Sequence, residues 1–417
     1  VSRPLPPAPC PAGRRRPTAL AAAALLLLLA AAAGCGGDRG QRSRGGAGPP
    51  FEFRALNLRQ QDLLGRPTWQ LSSPRVRYDL RRRVALVERP QAVIYREGQP
   101  AYRLRATSGT LLNDGQVLLL EGGLRLEQLG QAPLRLQAVR ARWYPPRNLL
   151  ELDRRPEALA AQQRLTAQRA RFRLDSNHLQ LQGQPLLEYW SRAFNPLRQD
   201  PPGAAELVVR VGQVDWYPLR GNLRASGPVQ ARRRPAGRRA DLPPAWLSAS
   251  GLEGNTLQRR FRLQQPVRYG DPVAGSQLTA LAVDVDLGAD VISSSGAFAA
   301  RHGALQVQGQ GFRLLRGQNL LVIPAGCQLQ QAGDSLRADQ CRWNWLSQAV
   351  IASGQVELRR GRNGQWSRGG WLSGRLGRLG SLSLTNPGGR VLSQVRVPRP
   401  AAPAPPPPRP AAEPIRL

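Results

Sequence analysis

Tyr102-Arg103-Leu104-Arg105-Ala106, Val117-Leu118-Leu119-Leu120-Glu121-Gly122 and Leu124-Arg125-Leu126 decide the fold class. Tyr102, Leu104 and Ala106 alternate with arginines, and Leu124 and Leu126 flank another. The same period of two returns at Leu134-Arg135-Leu136 and at Leu179, Leu181 and Gly183, which alternate with Gln180 and Gln182. Side chains on a strand point to opposite faces in turn, so this pattern predicts half-buried strands with Arg and Gln on the wet face. Turn signals separate the runs: Asn113-Asp114-Gly115, Asp175-Ser176-Asn177 and Arg220-Gly221-Asn222. The expected fold class is all-β, built of stacked antiparallel strands.

A weak internal repeat runs through the chain. Its core is an apolar residue, a spacer and Ala or Val, then an aromatic or apolar strand, a turn, and an alternating strand ending near Gly. Copies start at Leu104, Leu136, Leu165, Leu207, Leu278, Leu305 and Leu336, and neighbouring starts such as Leu104, Leu136 and Leu165 lie roughly thirty residues apart. That is two to three strands per unit, the size of a stacked β-architecture. Two Pro- and Arg-rich segments, 191–205 and 231–245, lack alternation. The first is expected to separate two β-modules, and the second to be a loop inside the second module.

Composition narrows the chemistry. The 417 residues carry 60 basic and 27 acidic side chains, for a formal charge of +33, and every basic one is Arg. With no Lys, Schiff-base chemistry and a Walker-type phosphate lysine are excluded. Two histidines, His178 and His302, both read as turn residues and leave little for a triad or a His-based metal site. Asp284 and Asp286 could present two carboxylates on one face, but without a nearby His they read as a solvated face. No catalysis, cofactor or metal is expected. The arginine excess has three readings: a solvated surface reflecting coding bias, a partner for anionic lipid heads, or a nucleic-acid surface. The last is disfavoured because no zinc, helix-turn-helix or RNP-like pattern is present.

The ends read as an address and a tail. Arg14-Arg15-Arg16 precede an apolar run from Ala19 to Ala33 that is short for a bilayer span, and Ala32-Ala33-Gly34-Cys35 looks like a bacterial lipobox. Residues 1–34 are expected to be a signal or lipoprotein leader with Cys35 as the lipidation site. The alternatives are an uncleaved membrane anchor and ordinary cleavage, and in all three the remainder is exported; the expected location is the periplasmic side of the inner membrane, held by an N-terminal lipid or short membrane segment. Residues 35–50 read as a flexible tether and 397–417 as a disordered Pro-rich tail. Cys327 and Cys341 remain as a pair. Folding the chain about Asp334 sets them opposite one another, so a disulfide is expected in an oxidising compartment, the alternative being two buried thiols.

The spacing resembles a known family. Asp62-Leu63-Leu64-Gly65, Thr68-Trp69-Gln70-Leu71, Tyr78, Pro90, Tyr95, Tyr102, Ala106 with Gly109, and Val117 to Gly122 resemble the periplasmic part of LptC, a subunit of the lipopolysaccharide exporter. Leu278 to Leu358 resembles the related OstA/LptA type. Two departures stand out: the usual member is about half this length, and its anchor is an uncleaved helix rather than a lipobox-like Cys. The resemblance implies a twisted, open β-jellyroll (a β-taco), here as two modules in tandem, 51–195 and 205–396. It implies lipopolysaccharide as cargo, an inner-membrane ABC transporter and a periplasmic LptA/OstA-like bridge as partners, a membrane held through the N-terminus, and no nucleic acid. On that reading the lipid groove is lined by Trp69, Tyr95, Tyr102, Leu104, Leu118, Leu120, Leu124, Leu126, Phe172 and Leu181. Ordinary core packing would give those residues the same periodicity. The alternative function is a structural envelope β-lipoprotein without lipid cargo.

Overall fold

The strand Val117–Gln128 shows how this sequence folds. Its first half, Val117 to Glu121, pairs with Ser108–Leu112, while its second half, Leu124 to Gln128, pairs with Gln99–Arg105. Between the halves the register slips at Gly122-Gly123, whose φ angles are +75° and +92°. Only Gly adopts such angles without a steric cost, so the strand bends there and runs from one sheet layer into another. The glycine read as the end of a strand is therefore the bend inside one. Gly227 does the same within Asn222–Arg233, where the register slips between Ser226 and Val229.

The computed structural model describes residues 51–234, 242–361, 364–377 and 380–395. The leader, Cys35, the tether and residues 396–417 lie outside the described residues. Within the described residues 32 strands join in one sheet, and their pairings are antiparallel, which bears out the all-β jellyroll-like class. The only other regular elements described are short 3-10 turns such as Pro145–Arg147 and Arg316–Gln318.

The topology is a single meander of V-folded passes. Each pass contributes one arm to an upper layer and one to a lower layer, either as one bent strand or as two short strands such as Leu149–Asp153 and Glu157–Ala160. Consecutive passes pair arm to arm. One inward row of the upper layer can be followed by register across the molecule: Leu71, Ala92, Leu104, Leu126, Leu136, Ala158, Leu165, Leu187, Val209, Ala231, Leu247, Tyr269, Leu278, Ala300, Val307, Leu329, Leu336 and Leu358. The repeat starts Leu104, Leu136, Leu165, Leu278 and Leu336 all lie on this row, so the repeat is one down-and-up turn of the meander.

The layers face each other and pack. Aromatic pairs cross between them: Trp69 on Trp143 and Tyr102 on Phe172, each 5.6 Å between centroids, Phe298 on Phe312 at 4.9 Å and His302 on Trp343 at 5.7 Å. One apolar core cluster runs from Leu71 to Leu372. Outer faces carry the charges in cross-strand pairs, such as Arg140–Glu121 at 2.6 Å and Arg260–Asp286 at 2.8 Å. Exposed pairs of this kind contribute little each. Asp284 and Asp286 face Arg262 and Arg260 on that outer surface.

Two irregular segments depart from expectation. Residues 191–205 lie over the outside of the upper layer rather than between bodies. Trp190, Phe194 and Ala205 pack on Leu159, Arg125 donates to the Leu197 carbonyl at 2.7 Å, and buried Arg135 pairs with Asp200. The strands on either side pair with one another, His178–Gln182 with Gln213–Trp216 and Leu186–Tyr189 with Leu207–Arg210, so the sheet continues across this point. In the 231–245 segment, Ala231, Arg232 and Arg233 belong to one strand and Ala245 begins the next, while residues 235–241 lie outside the described residues. Proline and arginine had masked a short regular strand end.

Cys327 and Cys341 are bonded, but not as direct opposites in one hairpin. The two-residue turn Ala332-Gly333, with both φ positive (48° and 88°), centres the hairpin earlier than Asp334 and sets Cys327 opposite Ala338. The pass then changes layer after Ala338, and Cys341 pairs with Ile323 and Ala352. The bond therefore ties the upper arm Ala325–Gln331 to the lower arm Gln340–Asn344 across the interior.

Candidate functional site

The interior between the layers is the place where apolar chemistry concentrates, and it changes character along the meander. In the first passes it is filled. Leu104, Leu120, Leu126 and Phe172 are fully buried, and Tyr102, Leu118, Leu124 and Leu181 are at most 2% exposed. Eight of the groove candidates thus face one another across the two layers in close packing. Trp69 and Tyr95 are half-buried and line a recess of about 530 Å³ at the N-terminal end, together with Arg96, Asp114 and Asp175.

A polar bridge joins the two lips in this filled part. The Tyr102 hydroxyl on the upper layer donates to the Leu174 carbonyl on the lower one at 3.1 Å, and accepts from Asn177 at 3.0 Å and from Arg96. Asn177 also donates to the Gln128 side chain, and its own carbonyl accepts the Leu219 N–H at 2.8 Å. Asn177 and Gln128 are 3% and 1% exposed, so these bonds are made away from water. Burial also raises the Tyr102 hydroxyl above its ordinary pKa, keeping it a neutral donor. The Arg96 Nε has no partner among the described residues, but the Tyr102 hydroxyl and the Asn177 amide are each bonded more than once, which fixes one arrangement of the groups around them.

Beyond this bridge the interior opens. A cavity of about 420 Å³ is lined by Leu187, Leu207, Val209, Ala231 and Leu247 of the upper layer and by Trp216, Leu223, Leu252, Phe261 and Val285 of the lower one. Its size is that of an ordinary ligand pocket. Leu187, Ala231, Leu247 and Tyr269, on the same row as fully buried Leu126, are only half-buried here. Burial raises the pKa of Tyr269 as well. None of the groove candidates chosen from sequence lines this cavity. All of them came from the first passes, where aromatic residues are dense. The signal missed is the small residues Ala231 and Gly254, each in register with cavity-lining neighbours, Val209 and Leu247 for the first and Leu223 and Phe261 for the second.

The two histidines are engaged separately. His178 stacks on Tyr217 at 4.4 Å and meets Asp215 at 2.9 Å, while His302 meets the Ser276 hydroxyl at 2.8 Å. Among the described residues no group of three or more His, Cys, Asp or Glu could hold a metal ion, and no helix is long and apolar enough to cross a membrane.

The first passes also carry a family signature. Residues 18–184 match the lipopolysaccharide-assembly, LptC-related family. The LptC-like recognition made on Asp62 to Gly122 falls inside that span and is borne out. The matched region includes Tyr102, Gln128, Leu174 and Asn177 of the bridge and the cavity-lining residues 131–134 and 160–163, and ends before the rest of the lining, Leu187 to Leu287. Among solved structures the chain is similar to LptH, the LptA homologous periplasmic component of the lipopolysaccharide transport device of Pseudomonas aeruginosa. That likeness has 11% identity and a TM-score of 0.24, over 28% of this chain and 82% of that one. At such a score the architecture rests on the strand pairings alone. No curated protein sequence matches the chain.

Proposed function

We propose that this protein is a periplasmic lipopolysaccharide carrier of the LptC type. It accepts lipopolysaccharide from an inner-membrane ABC transporter and passes it between its sheet layers to an LptA/OstA-like bridge. The observation that carries the reading is the inward apolar row that runs from Leu71 to Leu358 without leaving the interior, in a chain whose first part is LptC-related. Every methylene of an acyl chain held in water costs about 0.8 kcal/mol, so transfer across an aqueous space needs an unbroken apolar path. Handover is non-covalent, and the energy comes from the partner ATPase. The N-terminal leader, through acylated Cys35 or a short membrane segment, holds the carrier at the inner membrane. Among the described residues the arms Leu382–Thr385 and Leu392–Gln394 pair on one side only, with Gln365–Arg375, and their other side offers an edge for addition of the bridge protein. The filled passes form the narrow part of the path, where Trp69, Tyr95, Tyr102, Leu104, Leu118, Leu120, Leu124, Leu126, Phe172 and Leu181 touch cargo when the layers part.

The close packing around Leu104 and Phe172 favours a second reading, a scaffolding envelope β-protein without cargo. Site-specific photo-crosslinking in cells separates the two. Probes at inward positions 104, 120, 247 and 252 should give lipopolysaccharide adducts, and probes at outward neighbours 103 and 253 should not. Equal labelling of both faces, or normal surface lipopolysaccharide after depletion of the protein, would leave the scaffold.

A further inference from the structure

The cavity beyond the polar bridge has a charge pattern that its apolar walls do not require. Among the described residues that line it, the charged ones are Arg233 and Arg259, and none is acidic. Arg233 occupies the next inward register position after Val229 and Ala231, opposite Leu207 and Ala245, at the upper lip. An apolar residue is what the alternation calls for there. Arg259 sits in the turn between Ala245–Asn255 and Arg260–Gln264, at the lower lip, with a left-handed φ of 59°. Both are exposed. Gln131, Gln162, Gln163 and Thr256 complete the polar part of the lining and add no charge. Asp271, beside Tyr269, is engaged by the Val273 and Ala274 N–H groups at 3.0 Å each.

We propose that Arg233 and Arg259 are a headgroup clamp: the cavity takes the acyl chain of an anionic amphiphile, and the two guanidinium groups, one on each lip, hold its phosphate or carboxylate. The clamp rests on the reading of the cavity as part of the cargo path and adds to it what the mouth selects. A guanidinium presents a planar fork that matches two oxygens of a phosphate or carboxylate, and it stays charged at any physiological pH. Next to apolar walls its attraction is stronger than on open surface, and it weakens as salt rises. A purely apolar mouth would accept neutral and anionic chains alike. A mouth with an arginine on each side ranks them.

The test uses the purified full chain and three probes with the same decyl tail, each below its micellar concentration: decanol, decyl phosphate and decyltrimethylammonium. Binding is followed by displacement of a fluorescent apolar dye. Decyl phosphate should bind at least about tenfold more tightly than decanol, and the ammonium probe more weakly than either. Arg233→Gln with Arg259→Gln should erase the preference for phosphate and leave decanol affinity unchanged, which also shows that the variant is folded. Inorganic phosphate should not displace decyl phosphate. Equal binding of the phosphate and the alcohol, or a preference that survives in the double variant, overturns the clamp and leaves the carrier reading standing. Displacement by inorganic phosphate overturns it in favour of a plain anion site. If no decyl probe binds, the cavity is not a path for chains, and the clamp and the carrier reading fail together.

Discussion

Leu126 and Leu247 occupy equivalent places on the same inward row, yet Leu126 is fully buried and Leu247 is not. The backbone plan does not separate them, since both sit on upper arms paired in register on each side. What differs is the volume of the side chains around them and whether the lips are tied. Around Leu126 the two layers interdigitate large residues, with Trp69 against Trp143 and Tyr102 against Phe172, and the Tyr102–Asn177–Gln128 bridge spans the lips. Around Leu247 the neighbouring inward positions hold Ala231 and Tyr269 rather than two leucines, and the mouth carries arginines that would repel one another if the lips closed. Farther on, the layers are tied again by the Cys327–Cys341 bond. One ladder can thus be core in one stretch and cavity in the next.

The contrast is broken most directly by truncating the row. Leu136→Ala, in the filled passes, should cost about 2–5 kcal/mol in urea unfolding, because neighbours in a packed interior cannot collapse into the space. Leu247→Ala should cost less than about half of that, its side chain already bordering empty volume. Equal losses would mean that the cavity closes in solution. Next in size, replacing Cys327 and Cys341 by Ala should lower stability by about 3 kcal/mol, the entropy of a short closed loop. Hydrogen exchange should then rise in Ala325–Gln331 and Gln340–Asn344 but not in Val117–Gln128. Loss of protection in both places would show that the passes do not respond separately.

Smaller still is the polar bridge. Tyr102→Phe removes the hydroxyl that joins Leu174, Asn177 and Arg96, and should cost about 1–3 kcal/mol. It should also speed exchange at Asn177 and its neighbours; unchanged exchange would show that aromatic packing alone holds the lips. The smallest effect is expected at Glu157, half-buried on the outer face beneath the 191–205 segment. Burial raises its pKa, with Arg164 and Arg135 pulling the other way. A folded-state pKa above the unfolded one gives stability that is present at low pH and lost as pH rises through the folded value. Glu157→Gln should therefore raise the melting temperature slightly at pH 7, and the gain should vanish below the ordinary glutamate range. A gain that persists at low pH would point to packing instead.

Much of the plan was legible. Alternation at Tyr102–Ala106 and Leu124–Leu126 identified strands, and the recurrence at Leu104, Leu136, Leu165, Leu278 and Leu336 marked equivalent arms, because a meander repeats its inward parity at every turn. What alternation does not encode is where a strand changes layer. Gly122 reads equally as a strand end and as a bend, and only its pairing with arms on both sides distinguishes them. The same blindness misplaced the cysteines: counting from Asp334 assumed a flat hairpin, whereas Ala332-Gly333 makes the turn and the pass folds after Ala338. The cavity escaped for another reason. Filled and unfilled interiors share one apolar period, and only the sum of side-chain volumes across both layers tells them apart. Trp190 and Phe194 lie beside and within a proline-rich stretch that reads as a linker, yet both pack on Leu159.

The meander has a consequence for how such a chain can change length. Each pass bonds only to the passes beside it, so a duplicated segment can be spliced in wherever two neighbours meet, and the old partners are replaced by copies of themselves. Direction restricts the size of the insert. A single extra pass would reverse the polarity of everything downstream and exchange the turns at one lip for those at the other. A down-and-up pair leaves both lips, and the parity of every later side chain, as they were. Lengthening by tandem duplication is therefore quantised in units of about thirty residues, the interval at which Leu104, Leu136 and Leu165 recur.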